Sequence, residues 1–465
     1  MKRTSAKHRA FCILLLAALG CSKSAPESHD SHAARATDGS AHPPMRTRDL
    51  ATFGESDTEA LKITDIIYQA RGVANAQMVI TPAGNVLIDT GLPQQADRLV
   101  AQLRAVSDAP ITHLIVSHAH ADHYVAHDSF VDDDTQIIAH AEFPEVQEQL
   151  YELFPFQMPR NRLYFPDHVP ELPRMALGLA KKMYPVIEPD VLVDGTYKFE
   201  VGGIEFEVIA TPGAEGPDSV SVWLPQQKVL FTGDLFGHMF PMWPNITTIR
   251  GERHRFMMPY VESLNKVLEL EPEIIVPSHF YPVTDKEEIR EGVTRIRDAV
   301  LYVHDAVVKG MNEDKDVYTL MREIKLPPEL QVSEGHGKVS WGVRSISEGY
   351  VGWFQMKSAT EMYPVPVSDV YPDLVTAAGG ADVVAKLAQR KLAEGNPVEA
   401  LHLSEVALEA APENQAALRA ELAAYEKLLE ESNDENHYEV FRLRELIRET
   451  RAELSIEERT THGPH

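Results

Sequence analysis

His113-Leu114-Ile115-Val116-Ser117-His118-Ala119-His120-Ala121-Asp122-His123 is the stretch on which the reading of this chain turns. Aliphatic and β-branched residues make a short strand, and it runs directly into three imidazoles and a carboxylate within six residues. In a loop leaving a strand, His118 and His120 can point to one place while Asp122 and His123 point to a second. The cluster can therefore serve two cations at once. Neutral imidazole and carboxylate oxygens suit zinc, with manganese or iron as alternatives. Burying four such side chains without a cation would cost too much for an incidental polar loop.

Outward from this stretch, the pattern between 61 and 276 is short β runs interleaved with helices. Strands are predicted at 63–68, 76–80, 86–88, 113–116, 136–138, 191–193, 204–209, 220–224, 229–231 and 273–276, with an amphipathic helix at 94–106. This alternation predicts a layered α/β domain rather than an all-β one. Residues 153–190 interrupt it with Pro, Met and aromatic residues, in the manner of a lid or pocket wall or of a surface excursion with its own small core. After 285 only helical runs remain, at 287–310, 317–324, 345–354, 371–394, 397–411, 413–431 and 438–455. Within them, residues 393–412 resemble one tetratricopeptide-like hairpin, which cannot stack alone.

Four further short runs share an order with the histidine cluster: Ile88-Asp89-Thr90-Gly91, Thr211-Pro212-Gly213, Thr232-Gly233-Asp234 and Pro277-Ser278-His279. Together they resemble the metallo-β-lactamase superfamily. The resemblance implies a four-layer αββα sandwich with a pair of metal ions at one edge, followed by an all-α module, and Asp89 behind the metal loop as an orienting carboxylate. Where most of that superfamily has a histidine after Thr-Pro-Gly, this chain has Glu215, which resembles the alkylsulfatase branch. Glu215 stands 19 residues before Asp234 and His279 stands 45 after it, spacings similar to that branch. The resemblance thus implies a first ion on His118, His120 and Glu215, a second on Asp122, His123 and His279, and Asp234 bridging them. Asp122 and Asp234 would be the catalytic carboxylates, working with a bridging hydroxide. Asp234 stands where that branch usually has Glu, which is closer to the general superfamily.

The same branch is similar at Pro244-Asn245-Ile246-Thr247-Thr248-Ile249-Arg250-Gly251, which puts Asn245 and Arg250 on its sulfate-binding positions. A guanidinium fork matches paired sulfate oxygens and keeps its charge at any working pH. The apolar run from Leu235 to Trp243 is expected to line an alkyl-chain pocket, with core packing beneath the site as the alternative; His238 within it is a structural histidine or a proton donor. Three runs, Arg297 to Asp305, Leu326 to Leu330 and Glu348 to Phe354, resemble the branch's dimerisation domain, which implies a homodimer. The branch's sterol-carrier-like C-terminal domain is expected to be missing, with a charged helical tail in its place.

The N-terminus reads as an export signal. Lys2, Arg3, Lys7 and Arg9 precede a short apolar core, and Ala18-Leu19-Gly20-Cys21 resembles a bacterial lipoprotein cleavage box. The expected organisation is a signal at 1–21, a flexible linker at 22–57, a catalytic domain at 58–286, a helical dimerisation domain at 287–431 and a tail at 432–465. Cys12 and Cys21 are the only cysteines, so no internal disulfide and no thiolate ligand is expected after cleavage. The expected location is periplasmic or at the cell surface, with an outer-membrane lipid anchor at Cys21 as the only membrane contact.

With 44 basic against 70 acidic residues the formal charge is -26, which repels nucleic acid and anionic membrane at long range. The expected substrate is a small anionic ester with an apolar group, a sulfate ester in the first instance. A lactonase, thioesterase or β-lactamase-type hydrolase on the same fold is the alternative, and a surface-anchored binding or assembly protein the third reading.

Overall fold

This computed structural model describes residues 47–165, 169, 172–173, 176–178, 181, 185–213 and 215–461. The expected signal, Cys21 and most of the expected linker lie outside the described residues. The linker does not reach 57, however. Thr47–Thr52 forms a 3-10 turn, and Leu50 and Phe53 are buried against Val73 and Phe280. Asp57 is ion-paired with Arg71 at 2.6 Å. Two apolar side chains with a partner surface are enough to order this segment, so the folded part starts about ten residues before the expected boundary.

Among the described residues, twelve strands form two mixed sheets. The first runs in the order β1 (Leu61–Lys62), β2 (Ile67–Ala70), β3 (Ala76–Thr81), β4 (Gly84–Ile88), β5 (Ile111–Ile115), β6 (Gln136–His140), β7 (Val191–Val193). The second holds β8 (Thr196–Val201), β9 (Ile204–Ala210), β10 (Val220–Leu224), β11 (Val229–Gly233) and β12 (Ile274–Pro277), with β12 at one edge beside β11. Side chains alternate faces along a strand, and that alternation sorts the residues into layers. Val79, Ile88, Ile115 and Ile138 meet Phe206, Val208, Val222 and Phe231 between the sheets. Leu87, Leu114 and Val116 turn outward onto Leu99 and Leu103 of the helix Ala96–Val106 and onto Phe143. On the far side, Trp223, Leu230 and Ile275 meet Tyr260 and Leu264 of Met257–Leu270, and Val293, Ile296 and Val300 of Lys286–Asn312 join the same core. Each such side chain contributes about 1.5–3 kcal/mol on burial. The expected αββα layering is present, followed by helices.

Several elements differ from the sequence reading, among them the helices Phe143–Glu152 and Met257–Leu270, which were not expected, and Val339–Val351, which starts six residues before the expected 345. The strand expected at 63–68 is two strands around a tight corner, where Thr64 Oγ1 accepts the amides of Ile66 and Ile67. β8 was not expected; Tyr197, Phe199 and Val201 alternate with Lys198 and Glu200 along an edge strand. The helix expected at 371–394 is broken into Tyr371–Ala378 and Ala381–Ala393 by Gly379 and Gly380, whose φ values of 96° and 113° no ordinary helix admits. The expected hairpin is present as Ala381–Ala393 and Pro397–Ala410, with Gln415–Glu431 packed alongside.

Candidate metal centre

The histidine loop sits where the two sheets meet. Val116 N–H donates to Ile138 O in the first sheet, while Ser117 O accepts from Val220 N–H in the second. From the other sheet, β11 ends at Gly233 with φ 52°, and a Cβ there would meet Ser117 Cβ at 2.8 Å. Glycine at that position lets the strand close on the loop and sets Asp234 beside it. His279 follows β12, and its Nδ1 is held by Val73 O. Ser278 N–H donates to Gly233 O, so the loops that carry Asp234 and His279 are tied to one another through the backbone.

Two clusters result, His118, His120 and Asp234 in one and Asp122, His123 and His279 in the other, and a third group, Asp234, His238 and His279, overlaps both. Asp234 Oδ2 occupies the middle, 2.9 Å from His279 Nε2, 3.5 Å from His123 Nε2 and 3.9 Å from His118 Nε2. His118 Nε2 and Asp234 Oδ1 are buried with no hydrogen-bond partner among the described residues. Lone pairs left so at the centre of a histidine and carboxylate cluster fit a divalent cation. Burial, then His123 and His120, push His118 well below the ordinary imidazole range, which suits a neutral ligand. Burial raises Asp234, but His279 and His123 outweigh it and hold the carboxyl well below the usual range.

Asp89 organises the loop from behind. Its φ is 56°, and the fully buried carboxylate accepts from Ser117 N–H, Ser117 Oγ, Ser278 Oγ and His123 Nδ1 at 2.8, 2.8, 2.6 and 2.8 Å. The bond to Nδ1 leaves His123 Nε2 for an ion. Asp218, unremarked in the sequence, plays a similar part from the Thr-Pro-Gly side. Its Oδ2 accepts Ala119 N–H at 2.8 Å, and burial pushes its carboxyl up to about 6.

Glu215 stands beside the first cluster rather than in it. Its oxygens lie 2.9 Å from Arg255 Nη1 and 3.3 Å from His336 Nε2. Arg250 is ion-paired with Glu252 at 3.0 Å and lies near the faces of Phe165 and Tyr438. Burial works against its charge, but Tyr438, Glu252 and Glu215 more than offset this and hold it above the usual guanidinium range. Asn245 does not face the cavity. Its Nδ2 lies 3.1 Å from His336 Nε2, and its carbonyl accepts from Arg255.

A cavity of about 330 Å³ opens over these groups. His120, Asp122, Glu215, Asp234, Arg250, His279 and His336 form its polar end, and Leu92, Val125, Leu150, Phe154, Met158 and Phe165 its apolar wall. The aromatic excursion after 153 therefore contributes a pocket wall, through the helix Phe154–Tyr164 and Phe165. The run 235–243 does not. Leu235, Phe236 and Trp243 are buried in the helical-side core because they cover the outer face of the second sheet. His238 alone of that run reaches the cavity, packed against His279 and His336.

Sequence reasoning missed Glu252, Arg255, His336 and Tyr438. The alternation of charges in Arg250-Gly251-Glu252-Arg253-His254-Arg255 and the glycine-flanked His336 were usable signals. Tyr438 opens the tail helix and carried none, since only the docking of His437–Thr461 brings it to the site.

The metallo-beta-lactamase superfamily profile matches residues 70–279, and the alkyl sulfatase dimerisation profile matches 317–446. The chain carries a metallo-β-lactamase domain joined to an alkyl sulfatase dimerisation domain. It is 27% identical over 371 residues to a linear primary-alkylsulfatase of Pseudomonas sp. (strain ATCC 19151), covering 76% of this chain and 69% of that one. To an (R)-specific secondary-alkylsulfatase of Pseudomonas sp. it is 27% identical over 393 residues, covering 78% of this chain and 58% of the relative. The solved sec-alkylsulfatase Pisa1 from Pseudomonas sp. superposes with a TM-score of 0.73 at 22% identity, over 84% of this chain and 66% of that one. That last likeness shows the fold. Across these relatives the chain spans between 58% and 69% of their length.

Proposed function

We propose that this chain is a binuclear, zinc-dependent hydrolase of alkyl sulfate esters. The observation that carries the reading is the cavity itself, whose lining combines two cation-ready clusters and a half-buried arginine with apolar side chains. His118 and His120 would hold the first ion, Asp122, His123 and His279 the second, with Asp234 between them and Glu215, paired with Arg255 and His336, beside the first. When bound, the ions supply a water activated at neutral pH and screening for the ester oxygens. Four carboxylates, Asp122, Glu215, Asp234 and Glu252, line the polar end against the guanidiniums of Arg250 and Arg255. That surplus of negative charge would repel an anionic ester, so cations are needed there on electrostatic grounds as well. Arg250 holds the sulfate, with its planar fork presented beside the rings of Phe165 and Tyr438. Phe154, Met158 and Phe165 take the alkyl group, with methionine adapting to chain shape. Asn245 acts through His336, fixing the ring that faces the cavity.

The pairing of Arg250 with Glu252 supports a second reading, an uncharged ester or lactone, because a matched arginine attracts an anion less. Metal-loaded protein assayed on alkyl sulfates, lactones and β-lactams separates the two. Sulfate release that drops about 10–100-fold in Arg250→Ala, the worth of a charge-assisted hydrogen bond, supports the sulfatase. Lactone turnover indifferent to that change supports the alternative.

The exposed apolar side chains Trp353, Met356, Tyr363 and Val367 crowd one segment of the region matched by the dimerisation profile, which supports a homodimer. Export with a lipid anchor at Cys21 completes the proposal; Cys21→Ser should move the protein from the membrane fraction to the soluble one.

A further inference from the structure

Glu252 touches three donors. Its Oε2 lies 3.3 Å from His120 Nε2 and accepts from Arg255 Nη2, and its Oε1 accepts from Arg250 Nη2 at 3.0 Å. The carboxylate is only 11% exposed and lines the cavity beside His120. Engagement of Nε2 by a carboxylate leaves Nδ1 as the nitrogen that His120 can offer to an ion. Asp89 does the converse at the second cluster, taking Nδ1 of His123 and leaving Nε2. Each cluster thus has one histidine whose outer nitrogen is gripped by a buried carboxylate. In a metal site that grip sets the tautomer, fixes the ring plane and raises the basicity of the ligating nitrogen.

We propose that Glu252 is a positioning residue for the first metal ion, holding His120 by its outer nitrogen while Arg250 and Arg255 clamp the carboxylate in place. The inference rests on His118, His120 and Asp234 being ion ligands and is independent of the substrate. A carboxylate has about four lone-pair sites for its three donors, whereas an amide has one acceptor oxygen and turns an NH2 toward a neighbour that also donates. Glu252→Gln therefore cannot satisfy the three groups together. Glu252→Asp keeps the charge for the arginines but draws the oxygen back from His120.

The test is Zn2+ affinity, measured by chelator competition with metal counting, on the full chain and on both variants. The protonated nitrogen of His120 is followed in parallel by 15N NMR of the metal-loaded protein. The expected result is that one of the two ions is lost about 10–100-fold more readily in each variant while the other is unchanged, and that the single Nε2-protonated form of His120 is replaced by a mixture. Combining Glu252→Gln with Asp89→Asn should then weaken both ions. Two ions bound by folded variants with unchanged affinity would overturn the role of Glu252 and leave the metal site standing. A wild-type chain that binds no Zn2+ would overturn both. If Glu252→Gln does not fold, Glu252→Asp decides the matter by the same readings.

Discussion

At the scale of single residues, the site depends on carboxylates whose work is to hold something else. Asp89 shows this most clearly. Four donors converge on one buried side chain in a left-handed backbone conformation. Asp89→Ala would strand Ser117, Ser278 and His123, and each buried group left unpaired costs about 1–3 kcal/mol. The expected outcome is a lower melting temperature together with a loss of metal affinity of about 10–100-fold, read by calorimetry and chelator competition. Asp89→Asn should fall between, because it retains the shape and one acceptor. Arg250 is different in kind. It has structural partners in Glu252 and the aromatic faces, yet it reaches the cavity. Its removal should raise KM for alkyl sulfates more than it lowers the melting temperature, which parallel kinetics and thermal denaturation would check.

At the scale of elements, the tail helix His437–Thr461 matters more than its charged sequence suggests. His437 N–H donates to Gly335 O beside His336, and Tyr438 is buried against Phe165 and Tyr164. The His437 ring is pushed down to about 3, first by burial and then by His336 and Arg250. An unfolded histidine titrates near ~6.5, so between that value and about 3 the undocked helix binds the extra proton. Docking is at full strength above about pH 6.5 and weakens as pH falls, by up to about 1.4 kcal/mol per unit. Limited proteolysis of the tail should accelerate below pH 6, and His437→Phe should remove that dependence. An unchanged cleavage rate between pH 7 and pH 5 in the wild type would contradict this account.

At the scale of the whole molecule, the two sheets serve mainly to bring three loops to one edge, and the helical half closes the pocket from the other side. Chelation should accordingly lower the melting temperature, since an ion bound only by the folded chain stabilises it by mass action. That shift should grow with the logarithm of added Zn2+ in a titration followed by scanning calorimetry. The segment around Trp353, 76% accessible, and Val367, 69% accessible, exposes several large apolar side chains, and contiguous apolar surface of this kind marks protein–protein contacts. Trp353→Glu combined with Val367→Glu should convert a dimer to a monomer in light scattering, with the metal content unchanged.

Much of this was legible in one dimension because it is local. A strand that runs into His118-Ala119-His120-Ala121-Asp122-His123 carries its ligands in adjacent residues, and short aliphatic and β-branched runs mark the central strands, which are buried on both faces. The break at Gly379-Gly380 lay in the chain as two adjacent glycines, but the sequence reading carried one helix through it, because an apolar helical period continues on both sides. What tertiary structure alone decided is non-local. Glu215 turns to Arg255 and His336, Asn245 backs onto His336, Arg250 is matched by Glu252, and the apolar wall comes from 150–165 instead of 235–243. Which side of a loop faces a cavity depends on partners 40 to 220 residues away, as between Glu215 and Arg255 or between Tyr438 and the site. Hydrophobic pattern and ligand spacing do not encode those pairings; they arise only when the sheets, the excursion and the tail helix compete for the same space.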